Sequence, residues 1–88
     1  MSIRATLHPY LNDGAEVQID VDGKTVGDCI KSIIGKYPNM EKKLFDKNGK
    51  LKGFVVILVN GKDAAPNEMA YPVTDGDALS VLIMLSGG

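Results

Sequence analysis

The sequence predicts one α+β domain in which a single helix covers one face of a mixed β-sheet, and three observations carry that expectation. Only Thr25 to Tyr37 holds a sustained apolar stripe of 3.6-residue period, so there is one main helix. Ile3 to Leu7, Val17 to Val21 and Leu79 to Leu85 place apolar residues at every second position, the mark of half-buried strands. Phe54 to Val59 is uninterrupted apolar sequence rich in β-branched residues, as a central strand covered on both faces would be. At 88 residues the chain has room for one modest core and no second domain.

Taken in order, Ile3, Ala5 and Leu7 alternate with Arg4, Thr6 and His8. After the turn residues Asn12-Asp13-Gly14, Val17, Ile19 and Val21 alternate with Glu16, Gln18 and Asp20. Two such runs joined by a short turn predict a hairpin. Asp22-Gly23 breaks the second strand, and Thr25 with Asp28 three residues later supplies a helix N-cap and an acid in the first turn. Val26, Cys29, Ile30, Ile33, Ile34 and Tyr37 then share one helical face, opposite Asp28, Lys31, Ser32 and Lys36, until Pro38 ends the helix. Met40, Leu44 and Phe45 fit one further buried helical turn ahead of the turn signal Lys47-Asn48-Gly49-Lys50. Asn60-Gly61 turns the chain after the apolar run. Ala64 to Val73, with Pro66 and Pro72, reads as an irregular crossing with room for a short edge strand. Thr74-Asp75-Gly76-Asp77 makes the last turn before the final strand, whose Leu82 and Met84 lie opposite Leu79, Val81, Ile83 and Leu85. One of these two sets faces solvent, or the strand is central and covered on both sides.

Composition narrows the function classes. The hydrophobic fraction of 44% and charged fraction of 24% are ordinary for a folded soluble domain. The longest apolar run falls far short of the ~18 residues a membrane span needs, and Met1-Ser2-Ile3-Arg4 does not open a secretory signal. A cytoplasmic protein with no membrane attachment is expected. One cysteine, Cys29, cannot close an internal disulfide, and with one histidine, His8, it cannot form a Cys/His zinc site, so no metal is expected. Lys and Arg are spread along a chain of net charge -1, which argues against nucleic-acid binding. Cys29 sits on the apolar helix face, where a thiol acts as a small hydrophobe, and His8 reads as a surface or strand-edge residue.

Three features combine at the level of function: Val59-Asn60-Gly61-Lys62 after the apolar run, Asp75-Gly76-Asp77 before the last strand, and Gly87-Gly88 at the end of the sequence. Together they resemble the ubiquitin-like sulfur carriers of the MoaD/ThiS type, which include the small subunit of molybdopterin synthase and the thiamine-pathway carrier. The likeness runs the whole length of the chain. Lys43-Leu44-Phe45-Asp46 and Asn48-Gly49-Lys50-Leu51 look more like the molybdopterin-type and cysteine-pathway carriers than the thiamine type. Leu82-Ile83-Met84-Leu85-Ser86 stands where molybdopterin subunits often show two prolines, which leaves the receiving pathway open.

The resemblance implies a β-grasp fold over residues 1–85 with a flexible Ser86-Gly87-Gly88 tail. It also implies that a ubiquitin-activating-type adenylyltransferase, using ATP, adenylates the carboxylate of Gly88 and that a sulfur donor converts it to a thiocarboxylate. The chain would be a cosubstrate rather than an enzyme, with no stably bound cofactor, passing sulfur to an acceptor such as the large subunit of molybdopterin synthase. Gly87 and Gly88 suit that task because a chain without side chains can thread a narrow channel and present an unhindered acyl carbon. Leu82 and Met84 are the candidate partner-docking residues, as an exposed apolar strip next to the reactive end. Two other readings stay open: a ubiquitin-like modifier joined through Gly88 to lysines, and a binding domain whose terminus has no role. The Asp-Gly-Asp and Asn-Gly segments read first as turns, since no nucleophile accompanies their carboxylates.

Overall fold

In the computed structural model, which describes residues 3–9, 14 and 17–84, the predicted alternation becomes strand pairing. Strand β1 (Ile3–Leu7) runs antiparallel to β2 (Val17–Val21), Ile3 opposite Val21 and Leu7 opposite Val17. Ile3, Ala5 and Leu7 are buried on one face, whereas Arg4 on the other pairs with Asp20 across the strands at 3.0 Å. The turn residues Asn12 and Asp13 lie outside the described residues.

Helix α1 (Val26–Lys36) follows, capped as the sequence predicts. The Asp28 backbone N–H donates to Thr25 Oγ1 at 3.2 Å, and the Asp28 carboxylate accepts from the Lys24 N–H at 3.1 Å. One orphan N–H of the first turn and the N–H just ahead of the cap are thereby satisfied. Val26, Cys29, Ile30 and Ile33 are fully buried, and Ile34 and Tyr37 pack at the margin of the core. The single turn α2 (Met40–Leu44) buries Met40 and Leu44.

Strand β3 (Val55–Val59) leads through Asn60-Gly61 into β4 (Lys62–Asp63), with Val59 opposite Lys62. Asn60 at φ +53° and Gly61 at φ +83° are both left-handed, the conformation a two-residue hairpin turn demands and the reason Asn-Gly serves there. A 3₁₀ turn at Glu68–Ala70 crosses the start of α1 so closely that a Cβ on Gly27 would sit 2.8 Å from the Met69 carbonyl oxygen. Strand β5 (Ala78–Ile83) completes a five-stranded sheet of order β2-β1-β5-β3-β4. It runs parallel to β1 and antiparallel to β3, so the first and last strands are internal and α1 covers one face: the β-grasp architecture.

Strand β3 differs from the expectation. It begins at Val55 rather than Phe54, and its burial alternates: Val55, Ile57 and Val59 are buried, while Val56 and Leu58 remain half-exposed. The continuous apolar sequence predicted cover on both faces, but the one substantial helix lies on only one of them. Ala64 to Val73 is mainly irregular, as expected, and its extended contact is a bridge between Pro72 and Thr25. The edge pairing in this region falls just ahead, at β4. No helix among the described residues is long and apolar enough to cross a membrane.

Candidate functional site

Strand β5 carries the two ends that matter. At its start, Asn60 and Asp77 lock together. The Asn60 side-chain amide donates to Asp77 Oδ1 at 3.0 Å, its carbonyl oxygen accepts from the Ala78 N–H at 2.9 Å, and the Thr74 N–H donates to Asp77 Oδ2 at 2.8 Å. The bond from Asn60, and after it those from Thr74, hold the Asp77 carboxyl below the usual aspartate range, because each favours the charged form. The two internal motifs noted in the sequence are thus one clasp that ties the β3–β4 turn to the start of β5. Its carboxylate is consumed by structure rather than free for proton transfer.

The other end of β5 lies about 20 Å away, six residues at ~3.3 Å each. There Ile83 is buried opposite Val55, and the Met84 N–H donates to the Phe54 carbonyl at 2.7 Å. Met84 is 61% exposed and Phe54 39% exposed, with the Lys52 ammonium 5.8 Å from the centre of the Phe54 ring. Leu82, directly across from Val56, is half-buried. Of the two sets on this strand, Leu79, Val81 and Ile83 face α1, while Leu82 and Met84 face away from it. Phe54, Val56 and Leu58 extend the outward set. The sequence reading missed them because it treated the apolar run as wholly buried; their alternation with Val55, Ile57 and Val59 was the available signal, hidden because both phases are apolar.

Leu85, Ser86, Gly87 and Gly88 lie outside the described residues, so the proposed acceptor carboxylate is not positioned. What is positioned is the end of the described chain: the β3–β5 register and the Met84 N–H bond to Phe54 fix Met84 at the rim of the sheet.

Cys29 is buried, and burial, followed by the charges of Asp28 and Asp22, pushes its thiol pKa up. A protonated, enclosed thiol is a poor nucleophile, which leaves Cys29 as core packing. His8 is half-buried at the end of β1, where its backbone N–H donates to the Val81 carbonyl at 2.9 Å. Among the described residues, no group of three His, Cys, Asp or Glu side chains could hold a metal ion.

Comparison with known proteins agrees with this architecture. The family model described as "ThiS family" matches residues 3–88. Small archaeal modifier protein 1 of Haloferax volcanii is 37% identical over 73 residues, covering 82% of this chain and 80% of that protein. A protein of Archaeoglobus fulgidus described as a putative sulfur carrier is 32% identical over an alignment spanning 100% of both chains. Among solved structures, the crystal structure of the Haloferax volcanii modifier aligns over 100% of both chains with a TM-score of 0.79 at 30% identity. That of Mycobacterium tuberculosis CysO aligns over 92% of this chain and 99% of its own, with a TM-score of 0.74 at 26% identity.

Proposed function

The chain belongs to the ThiS family of ubiquitin-like sulfur carriers and small modifiers, and on that premise we propose that it carries sulfur as a thiocarboxylate on Gly88. The supporting observation is the end of β5: Met84 and Phe54 are exposed beside half-buried Leu82, at a sheet rim two positions ahead of Ser86-Gly87-Gly88 in the sequence. An apolar strip adjoining a reactive end lets one partner surface grip the domain and align the carbonyl carbon in a single docking event. Partner enzymes supply the catalysis.

In the proposed reaction the Gly88 carboxylate attacks the α-phosphate of ATP in a ubiquitin-activating-type adenylyltransferase, and pyrophosphate leaves. Hydrosulfide, or a donor that delivers sulfur at that oxidation level, then attacks the acyl carbon. AMP departs with the bonding pair and a thiocarboxylate remains. The acceptor is an enzyme of molybdopterin synthesis or of a related sulfur-requiring pathway; likeness to the cysteine-pathway carriers and to CysO supports the latter group equally. The resemblance to small archaeal modifier proteins supports a second reading with the same activation step, in which a lysine amine rather than sulfide takes the acyl group.

Intact mass spectrometry after incubation with ATP, the cognate activating enzyme and a sulfide source tests both. Replacement of one oxygen by one sulfur on the full chain supports the carrier reading, and adducts on protein lysines support the modifier reading. A chain lacking Gly88 should show neither, because truncation withdraws the acyl carbon by about 3.3 Å from a reaction that needs approach to within about 3.5 Å. Normal thiocarboxylate formation on that truncated chain would refute the assignment of Gly88.

A further inference from the structure

On the helical side of the molecule, away from Leu82 and Met84, a cleft of about 970 Å³ opens between α1, α2 and the loop that follows α2. Ile34 and Phe45, both half-buried, and Met69, 37% exposed, give it an apolar floor. Lys31, Lys42, Lys47 and Lys52 stand around it. Lys42, Lys47 and Lys52 come from one lysine-rich stretch, and the packing of α1 adds Lys31 to the same rim. None of Lys31, Lys42 and Lys47 forms an ion pair with a described residue. Two acids, Glu41 and Asp46, share the rim, but the Asp46 carboxylate already accepts from the N–H groups of Asn48 at 2.8 Å and Lys50 at 3.0 Å. With four lysines against two carboxylates, the rim carries a net positive charge around an apolar centre.

We propose that this cleft is a docking site for an acidic peptide segment of a partner protein, one that presents an apolar anchor flanked by Asp or Glu residues. Two arguments select that occupant. Small-molecule sites orient their ligands with buried polar groups, and among the described residues no polar or charged side chain is buried. Solvated lysines surrounding an apolar floor instead match an apolar side chain with acids on either side, the floor supplying contact area and the rim supplying steering and register. The apolar floor of the cleft lies on the α1 side of the sheet while Leu82 and Met84 face the other way, so a partner held here grips residues distinct from that pair.

The test is an amide NMR titration of the full chain with a short capped peptide that has a Leu-Phe-Leu centre between Asp-Glu runs, beside a control with Lys in place of the acids. Shift changes should concentrate at Lys31, Ile34, Phe45 and Lys47. Affinity should fall as ionic strength rises from about 0.05 to about 0.5 M, where screening shortens to a few ångströms. The double variant Lys42→Glu/Lys47→Glu should bind about tenfold more weakly, as two reversed rim charges warrant. Both side chains are exposed, so its spectrum should stay native; Lys31→Glu tests the same rim from α1. Absence of binding, equal binding of the lysine control, or shifts confined to Val56, Leu82 and Met84 would overturn the proposal. So would tighter binding of an oligothymidylate at the cleft, or cleft shifts that depend on protein concentration alone and so identify a second copy as the occupant. No ATP or activating enzyme is present and no readout falls on Gly88, so the outcome is independent of the carrier reading.

Discussion

The two faces of the sheet are built from the same strands but meet different surroundings. On the inner face Ile3, Ala5, Leu7, Ile57, Leu79 and Val81 are at most 1% exposed beneath α1. On the outer face β1 and β2 carry Arg4, Thr6, Gln18 and Asp20, the expected polar complement of a one-sided sheet. Strands β3 and β5 break that pattern: their outward residues include Val56, Leu58 and Leu82, and Phe54 and Met84 continue the apolar character to the rim. Folding does not require apolar side chains there, since β1 and β2 do without them. Val56, Leu58 and Leu82 are only half-buried, so this half of the outer face keeps apolar surface that a partner could cover, at the rim where the described chain ends.

If the inner face alone holds the fold, the largest effect should come from Ile33→Asp, or equally Ile30→Asp. Either places an unpaired carboxylate where exposure is 0% and should cost at least about 4 kcal/mol, most of the stability expected of such a domain. Loss of cooperative melting by circular dichroism is the expected result, and a native melting curve would remove the residue from the core.

A smaller effect is expected at the clasp. Asn60→Ala should cost about 1 kcal/mol through lost hydrogen bonds, read in urea unfolding. Asp77→Ala should also lower the melting temperature, with a pH signature. The folded pKa of Asp77 is depressed, so its contribution is fully present above the unfolded value of about 3.9 and disappears as the pH falls through the folded value. Wild-type and Asp77→Ala melting temperatures should accordingly differ at neutral pH and converge on acidification. A gap that persists at about pH 2 would place the effect in packing rather than in the charged carboxylate.

The smallest stability change sharpens the comparison most. Met84→Ser should alter stability by no more than ~0.5 kcal/mol, as surface changes usually do, while weakening binding to the activating enzyme about tenfold in a calorimetric titration. Unchanged binding by Met84→Ser and Leu82→Ser together would move the docking surface off this strip.

Much of the fold was legible because each local signal had one reading. The Thr25–Asp28 cap, the stripe from Val26 to Tyr37 and the alternation in β1, β2 and β5 each name an element without outside help. Coverage of β3 was not legible, since Val56 and Leu58 are as apolar as their buried neighbours and only the position of α1 decides which phase is enclosed. Asn60 and Asp77 could be read singly as turn residues, but their pairing spans seventeen positions and depends on the β3–β5 register. The lysine rim was legible in part: Lys42, Lys47 and Lys52 share one stretch of sequence, but only the packing of α1 brings Lys31 beside them. At the candidate site, Leu82 and Met84 were legible as one phase of an alternating strand; their continuation onto Phe54 and Val56 required the sheet.

Strand β5 is the last strand of the described chain to be synthesised, yet it is the bond between the two halves of the sheet. Before residues 78–83 emerge from the ribosome, β1 has only β2 and β3 only β4, two separate hairpins of the kind that are marginal in water. Closing the sheet then joins Arg4 to Ala78, nearly the full length of the chain, so assembly waits for the C-terminal region. A copy broken off within β5 would consequently not survive as a folded domain. Without the strand that joins the two halves of the sheet it would stay open to proteolysis.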